Sequence, residues 1–156
     1  DADRHRRTHL EDTAKSLAWI ATIDAFQHWI YLNPTHTRAE RTAAWLDLDR
    51  RFGAELDWSG LEAQRENLWQ RQLHLFSVPL YYIEYGIAQL GALQLWLASR
   101  RNTAAALMSY KKGLSLGGAA PLPDLFKATD IKFEFGPPMM RSLMTEVQGE
   151  LAKLPA

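Results

Sequence analysis

Phenol and imidazole side chains cluster around a proline near the middle of the chain. His74 precedes Pro79, and Tyr81, Tyr82 and Tyr85 follow it. Residues three or four positions apart share one face of a helix, so Tyr85 would lie beside both other tyrosines. A donor of this kind can stabilise a developing oxyanion, an effect of about 2.7–4 kcal/mol for each donor. The spacing also fits aromatic core packing with each hydroxyl bonded to backbone, and spacing alone favours that second interpretation.

Two histidines near the N-terminus have the spacing of a helical zinc site. His5 and His9 are four residues apart, which places them on one helix face. A metalloprotease HExxH motif needs a glutamate directly after its first histidine, and Arg6 occupies that position. Because Arg6 and Arg7 would also repel a cation, we interpret this segment as a solvated helix end. We expect no metal site in this chain.

Asp24 and His28 form a second pair four residues apart. A carboxylate that orients an imidazole is an arrangement found in catalytic sites. It is also a common way to satisfy two buried polar groups, and we prefer that structural interpretation.

Helices must position these residues, because apolar side chains recur at helical spacing along most of the chain. Thr35 or Thr37 is expected to cap the second helix and Gly53 to stop it, while Ser59 and Glu62 have the spacing of a capping box for the third. The segment 131–135 is predicted to be extended or irregular. Nothing predicts a sheet, so the expected fold class is all-α. The third predicted helix begins near Asp57 or Ser59 and runs to about residue 76. The other predicted helices cover approximately residues 3–32, 37–52, 80–101, 103–116, 124–128 and the segment that follows Pro137 and Pro138.

Two of the predicted helices should be buried. The second half of the first helix is apolar on more than one side. The helix over about 80–101 is apolar nearly all round and is expected to be a central, tyrosine-rich helix. Its small residues should let neighbouring helices approach closely; these are Gly86, Ala88, Gly91 and Ala92.

Composition excludes several classes of protein. The 156 residues include 18 basic and 18 acidic side chains, and this zero net charge predicts no binding to nucleic acid or an anionic membrane. No apolar run reaches the roughly 20 residues of a membrane span. The chain has no cysteine, so a disulfide framework and a thiolate zinc site are excluded, and we expect a cytoplasmic location.

Several stretches of the chain resemble, in order, the C-terminal part of the oligoendopeptidase F family, which are relatives of thimet oligopeptidase. Separate motifs at matching spacing are more specific than any one of them, and together they span nearly the whole chain. The stretches are IDAFQHWIY at 23–31, DWSGL at 57–61, PLYYIEYGIAQL at 79–90, LGG at 116–118 and LPDLF at 122–126.

The resemblance implies a zincin-type, all-helical oligopeptidase domain. Its members bind one zinc ion through HExxH and a later glutamate, inside a deep channel that admits short unfolded peptides. By motif position, His74 matches a substrate-binding and catalytic histidine of the family, and Tyr82 and Tyr85 match its catalytic tyrosine pair. Tyr81 is a further substrate-binding candidate. The resemblance therefore favours a functional role for these four residues over aromatic core packing.

The HExxH helix and the third ligand helix lie upstream in these relatives and are absent from this sequence. We therefore expect residues 1–156 to be the C-terminal helical segment of a zinc metalloendopeptidase that hydrolyses oligopeptides. The chain alone is expected to bind no zinc and to have no peptidase activity. Its expected partners are oligopeptide substrates, the upstream part of the same protein and, through an exposed apolar face, a second copy. The alternative is a non-catalytic helical module that binds peptides or acts as a scaffold.

Overall fold

A computed structural model describes residues 1–155 of the chain. No β-strand occurs within that range, so the all-α prediction is confirmed. The helices are α1 (Ala2–Leu32), α2 (Arg38–Phe52), α3 (Glu62–Glu66), α4 (His74–Ser77), α5 (Ile83–Arg101), α6 (Thr103–Ser115), α7 (Leu122–Ala128) and α8 (Pro137–Leu151), with a 3₁₀ turn at Leu68–Arg71 between α3 and α4.

The chain forms two compact units. One consists of residues 13–86, and the other combines residues 1–12 with the chain from Ile87 onward. Helices α1 and α5 each contribute residues to both units. None of the helices in residues 1–155 has the length and apolar character that a bilayer crossing requires.

An aromatic core holds the unit of residues 13–86 together. Trp45 on α2 is fully buried. Its ring meets Phe26 and Trp19 of α1 edge-on, with ring centres 5.2 and 5.8 Å apart, a geometry that aromatic quadrupoles favour. The Trp45 indole N–H donates to the Arg65 carbonyl oxygen at 2.8 Å, so its one polar atom is also satisfied. The buried members of this core cluster are Ile23, Phe26, Trp45, Leu48 and Trp69.

Burial of the second half of α1 follows the predicted pattern. Ile20, Ile23 and Phe26 are buried, whereas most side chains of the first three turns of the helix are exposed. The apolar positions therefore bury the C-terminal part of α1 and leave its charged start in solvent.

The second helix is capped as predicted. Thr37 is the N-cap of α2, and its hydroxyl accepts from the Glu40 backbone N–H while the Glu40 carboxylate accepts from the Thr37 backbone N–H. This reciprocal capping box satisfies two N–H groups that a helix start leaves unpaired. At the other end, the Gly53 N–H donates to the Asp49 carbonyl.

The prediction of a single helix over residues 57–76 is wrong. The segment instead contains α3, the 3₁₀ turn and α4, separated by non-helical residues. The predicted capping box is wrong as well, because the Ser59 hydroxyl and backbone N–H both donate to the Asp57 carboxylate. Glu62 accepts from the Gly60 backbone N–H instead of from a cap residue. Local side-chain hydrogen bonds of this kind offer the backbone an alternative to helix, so the helix starts later and stays short.

Helix α5 begins at Ile83, three residues later than predicted, and its glycines allow the expected close approach. A Cβ on Gly86 would lie 3.2 Å from Ile20 of α1, and one on Gly91 would lie 2.9 Å from the Phe126 ring of α7. Burial does not extend all round α5, because Ala88 and Ala92 are exposed.

In the other unit, side-chain hydrogen bonds fix the irregular segment 131–135 and the end of α8. The Gln94 amide on α5 accepts from the Lys132 N–H at 2.9 Å and donates to its carbonyl at 3.0 Å. Arg7 donates to the Leu154 carbonyl at 3.0 Å, near the C-terminus of α8, where a cation is electrostatically favoured. On α8 the buried side chains are Leu143 and Val147, which lie on one face because they are four residues apart.

Candidate functional site

A short helix and a tight bend bring His74 to the tyrosines. His74 opens α4, which ends after one turn at Ser77. Leu80 then adopts φ of 55°, a left-handed conformation that L-residues with bulky side chains rarely occupy. The reversal lets Tyr81 and Tyr82 follow directly and places Tyr85 in the first turn of α5. The bend at Pro79 and Leu80 therefore gathers residues that lie 11 positions apart in sequence.

The four predicted site residues form one ring cluster. Tyr81 lies parallel to the His74 imidazole with centres 6.3 Å apart, and Tyr82 and Tyr85 meet it edge-on at 4.9 and 5.5 Å. Tyr85 also contacts Tyr81 at 5.6 Å and Tyr82 at 5.3 Å, both edge-on. Every tyrosine of the cluster thus touches the imidazole.

A row of hydrogen bonds runs from the aromatic core to this cluster. The Trp19 indole Nε1 lies 3.2 Å from Gln72 Oε1, and Gln72 Nε2 lies 2.6 Å from His74 Nδ1. His74 Nε2 lies 3.1 Å from the Tyr85 hydroxyl oxygen. Trp19 packs against the core cluster and its ring meets Trp45. The imidazole and Tyr85 are therefore connected to a buried, well-packed region.

The three tyrosines differ in exposure. Tyr81 and Tyr85 are 47% and 45% exposed, whereas Tyr82 is half-buried and packs against the core cluster. Of the three tyrosines, only Tyr82 packs against the core cluster. Within this unit, the side chains of Tyr81 and Tyr85 are open to an external molecule.

Comparison with solved structures gives consistent matches over 99% of this chain. A structure assigned as an oligoendopeptidase F has a TM-score of 0.85 and 31% identity. A PZ peptidase A with an inhibitor has a TM-score of 0.91 and 32% identity. The resemblance to the oligoendopeptidase F family is confirmed. A third structure, assigned as an oligoendopeptidase F from Bacillus anthracis str. Ames, has a TM-score of 0.76 and 26% identity.

This chain spans about a quarter of the three matched structures, namely 27%, 28% and 24% of their respective lengths. No protein-family model matches the sequence, and no curated protein matches it either.

The remaining sequence candidates lie outside the ring cluster. His5 and His9 are exposed on α1, and residues 1–155 contain no group of three or more side chains arranged to hold a metal ion. Asp24 Oδ2 lies 3.7 Å from His28 Nε2, but the His28 side chain is 57% exposed. The structural role predicted for that pair, the satisfaction of two buried polar groups, is therefore wrong for His28.

Two residues of the hydrogen-bond row, Trp19 and Gln72, did not emerge from the sequence pattern. They are 53 positions apart, and neither type is a usual acid, base or ligand. The available signal was the position of Gln72 two residues before His74, which is too weak to identify a partner.

Burial raises the pKa of the Tyr82 phenol above its usual value, and the nearby Tyr85 adds to the shift. The Trp19 indole N–H and Arg71 oppose it in part, since both favour the phenolate. The folded state therefore holds this proton more tightly than the unfolded chain does. The corresponding contribution to the free energy of unfolding is present below the ordinary tyrosine pKa of about 10, and it is lost as pH rises through the pKa of the folded state. Tyr82 is therefore a neutral hydrogen-bond donor near pH 7.

We expect Tyr82→Phe to remove a tyrosinate step that lies above the usual tyrosine range in an alkaline titration followed by ultraviolet absorbance. The reason is that burial raises the pKa of the Tyr82 phenol above its usual value. Tyr31→Phe is the matched control, because Tyr31 is 48% exposed, and it should leave that step in place. Loss of an early step in Tyr82→Phe would contradict the prediction.

Proposed function

We propose that this chain supplies one wall of the substrate site of an oligopeptide-hydrolysing zinc metalloendopeptidase. The observation that carries the proposal is the row from Gln72 through His74 to Tyr85, which ends at an exposed phenol. The family likeness supports it, because the matched structures are assigned as oligoendopeptidases or a peptidase.

The proposed roles follow from the chemistry of each side chain. Tyr85 and Tyr82 donate hydrogen bonds to the tetrahedral intermediate or to the substrate carbonyl, where a fixed donor is most effective. His74 orients Tyr85 and contacts substrate. Tyr81, exposed and parallel to the imidazole, binds substrate through its ring.

Zinc would be supplied by the upstream part of the protein. When bound, it would activate a water molecule for attack on the peptide carbonyl. The residues of this chain would bind the peptide and supply donors, which fits a site made of phenols and an imidazole. We propose accordingly that residues 1–156 form the C-terminal helical segment of the domain and have no peptidase activity alone.

The test is hydrolysis of a short quenched-fluorescence peptide by the full-length protein. We expect activity that a zinc chelator abolishes and added zinc restores. We expect His74→Ala to lower kcat/KM about 5- to 150-fold, since one hydrogen bond near the reacting centre contributes about 1–3 kcal/mol. His28→Ala is the matched control, because His28 lies outside the ring cluster, and it should leave kcat/KM within about twofold. Full activity in His74→Ala would reject the proposed site.

A non-catalytic helical module that binds peptides or acts as a scaffold is the second candidate. Exposed apolar side chains on α6, among them Leu107, Met108 and Leu114, favour a surface that contacts protein. Translation of the DNA upstream of Asp1 distinguishes the two candidates, because an in-frame HExxH supports the enzyme and a nearby start codon supports the module. Self-association through an apolar face and a cytoplasmic location remain predictions.

A further inference from the structure

The row from Trp19 to Tyr85 has a fixed direction. An indole nitrogen can only donate a hydrogen bond, so the Gln72 atom that faces Trp19 at 3.2 Å must be the amide oxygen. The amide NH₂ of Gln72 therefore points towards His74. At 2.6 Å from that NH₂, His74 Nδ1 must present its lone pair and accept.

This direction determines which imidazole nitrogen carries the proton. A neutral imidazole has one protonated nitrogen, and with Nδ1 accepting, the proton lies on Nε2. Nε2–H then donates to the Tyr85 oxygen at 3.1 Å. Since the oxygen accepts from His74, the phenol hydrogen of Tyr85 takes no part in that contact and is available to an acceptor outside the cluster.

We propose that Gln72 is a positioning residue that holds His74 in the Nε2–H tautomer and so makes Tyr85 an outward-facing donor. Trp19 holds Gln72 in the required orientation. The link from tautomer to catalysis rests on the function proposed above, whereas the tautomer itself does not.

Gln72→Glu tests the proposal because it reverses the polarity of one contact while conserving size. A carboxylate only accepts hydrogen bonds. It still satisfies the Trp19 N–H, but it now requires a proton on His74 Nδ1. Nε2 loses its proton in the neutral ring, and Tyr85 must then donate to Nε2 and loses its free hydrogen.

The experiment uses the full-length protein with nitrogen-labelled histidine and heteronuclear NMR of the imidazole nitrogens at a pH where the ring is neutral. The His74 signals are assigned by their loss in His74→Gln. We expect wild type to show protonated Nε2 and unprotonated Nδ1, and Gln72→Glu to show protonated Nδ1. In the same variant kcat should fall about 10²-fold, approaching the loss of one oxyanion donor, with a smaller change in KM.

Two further variants separate positioning from packing and from charge. Gln72→Met keeps an apolar side chain of similar length without donor or acceptor, so His74 should show a mixture of both tautomers. Gln70→Glu places the same new charge two residues away, on a side chain that bonds Asn67, and should keep the wild-type pattern. A purely structural role for Gln72 would leave the tautomer unchanged in both Gln72 variants.

Protonated Nδ1 in the wild-type protein, or an unchanged spectrum in folded Gln72→Glu, would overturn the proposal. If Gln72→Glu does not fold, the wild-type spectrum decides alone. The expected tautomers in a protein that hydrolyses no peptide would reject the proposed function and leave the assignment of Gln72 to His74 standing. Peptide hydrolysis by a wild-type protein whose His74 is protonated on Nδ1 would support the proposed function and reject the positioning role of Gln72.

Discussion

Tyr85→Phe in the full-length protein is expected to lower kcat/KM on a short peptide about 10²- to 10³-fold, which corresponds to about 2.7–4 kcal/mol of lost transition-state stabilisation. The substitution removes one hydroxyl and keeps the ring that meets His74, Tyr81 and Tyr82 edge-on. The loss should therefore appear in catalysis and not in the packing of the cluster.

The separate changes in kcat and KM show whether Tyr85 contacts the transition state alone or the bound substrate as well. An interaction made only in the transition state lowers kcat and kcat/KM equally, whereas one made equally with the bound substrate raises KM. We expect the first pattern for Tyr85. Tyr31→Phe is the control, since Tyr31 has a similar exposure of 48% and lies outside the ring cluster. Unchanged kcat/KM in Tyr85→Phe would remove Tyr85 from the proposed site.

Trp45→Ala is expected to lower the free energy of unfolding by about 3–5 kcal/mol, the range for deleting a large ring from a packed core. The loss of its contacts with Phe26 and Trp19 leaves a cavity between α1 and α2. The Arg65 carbonyl also loses the indole donor at 2.8 Å, and one such hydrogen bond contributes about 0.5–1.5 kcal/mol. We therefore expect Trp45→Ala to lower the free energy of unfolding by about 5 kcal/mol or slightly more.

Urea denaturation followed by circular dichroism measures this loss. Leu32→Ala is the control, because Leu32 is 79% exposed and surface substitutions change stability by about 0.5 kcal/mol or less. Trp45→Phe should fall between the two, since it keeps an aromatic ring but removes the N–H donor. If Trp45→Ala and Leu32→Ala unfold at the same urea concentration, the aromatic core does not stabilise this unit as described.

Local signals in the sequence predicted local structure well. Thr37, one of the two predicted caps of the second helix, does cap α2, because its partner Glu40 lies within one helical turn. The same kind of signal failed at Ser59, where Asp57 competes for the hydroxyl and N–H over an even shorter separation. Spacing shows which pairs are able to bond but not which competing bond forms, and this explains the error over residues 57–76.

The site was predictable only in part, because its decisive contacts are tertiary. Helical spacing relates Tyr85 to Tyr81 and Tyr82, but it does not place His74 beside them, since that requires the left-handed Leu80. The sequence placed His74 and the tyrosines on either side of Pro79, the resemblance to the oligoendopeptidase F family implied their roles, and the structure brings the four rings together. Their roles in catalysis stay predictions.

Trp19 links the packing of the core to the position of the proton on the His74 imidazole. Its ring face packs among the core aromatics while its one N–H orients the amide beside His74. Any disturbance that tilts this indole, whether heat or a distant repacking substitution, would release the amide to rotate and scramble the imidazole proton before the helices melt. Selection for activity and selection for a well-packed core would therefore both act on the contact between Trp19 Nε1 and Gln72 Oε1.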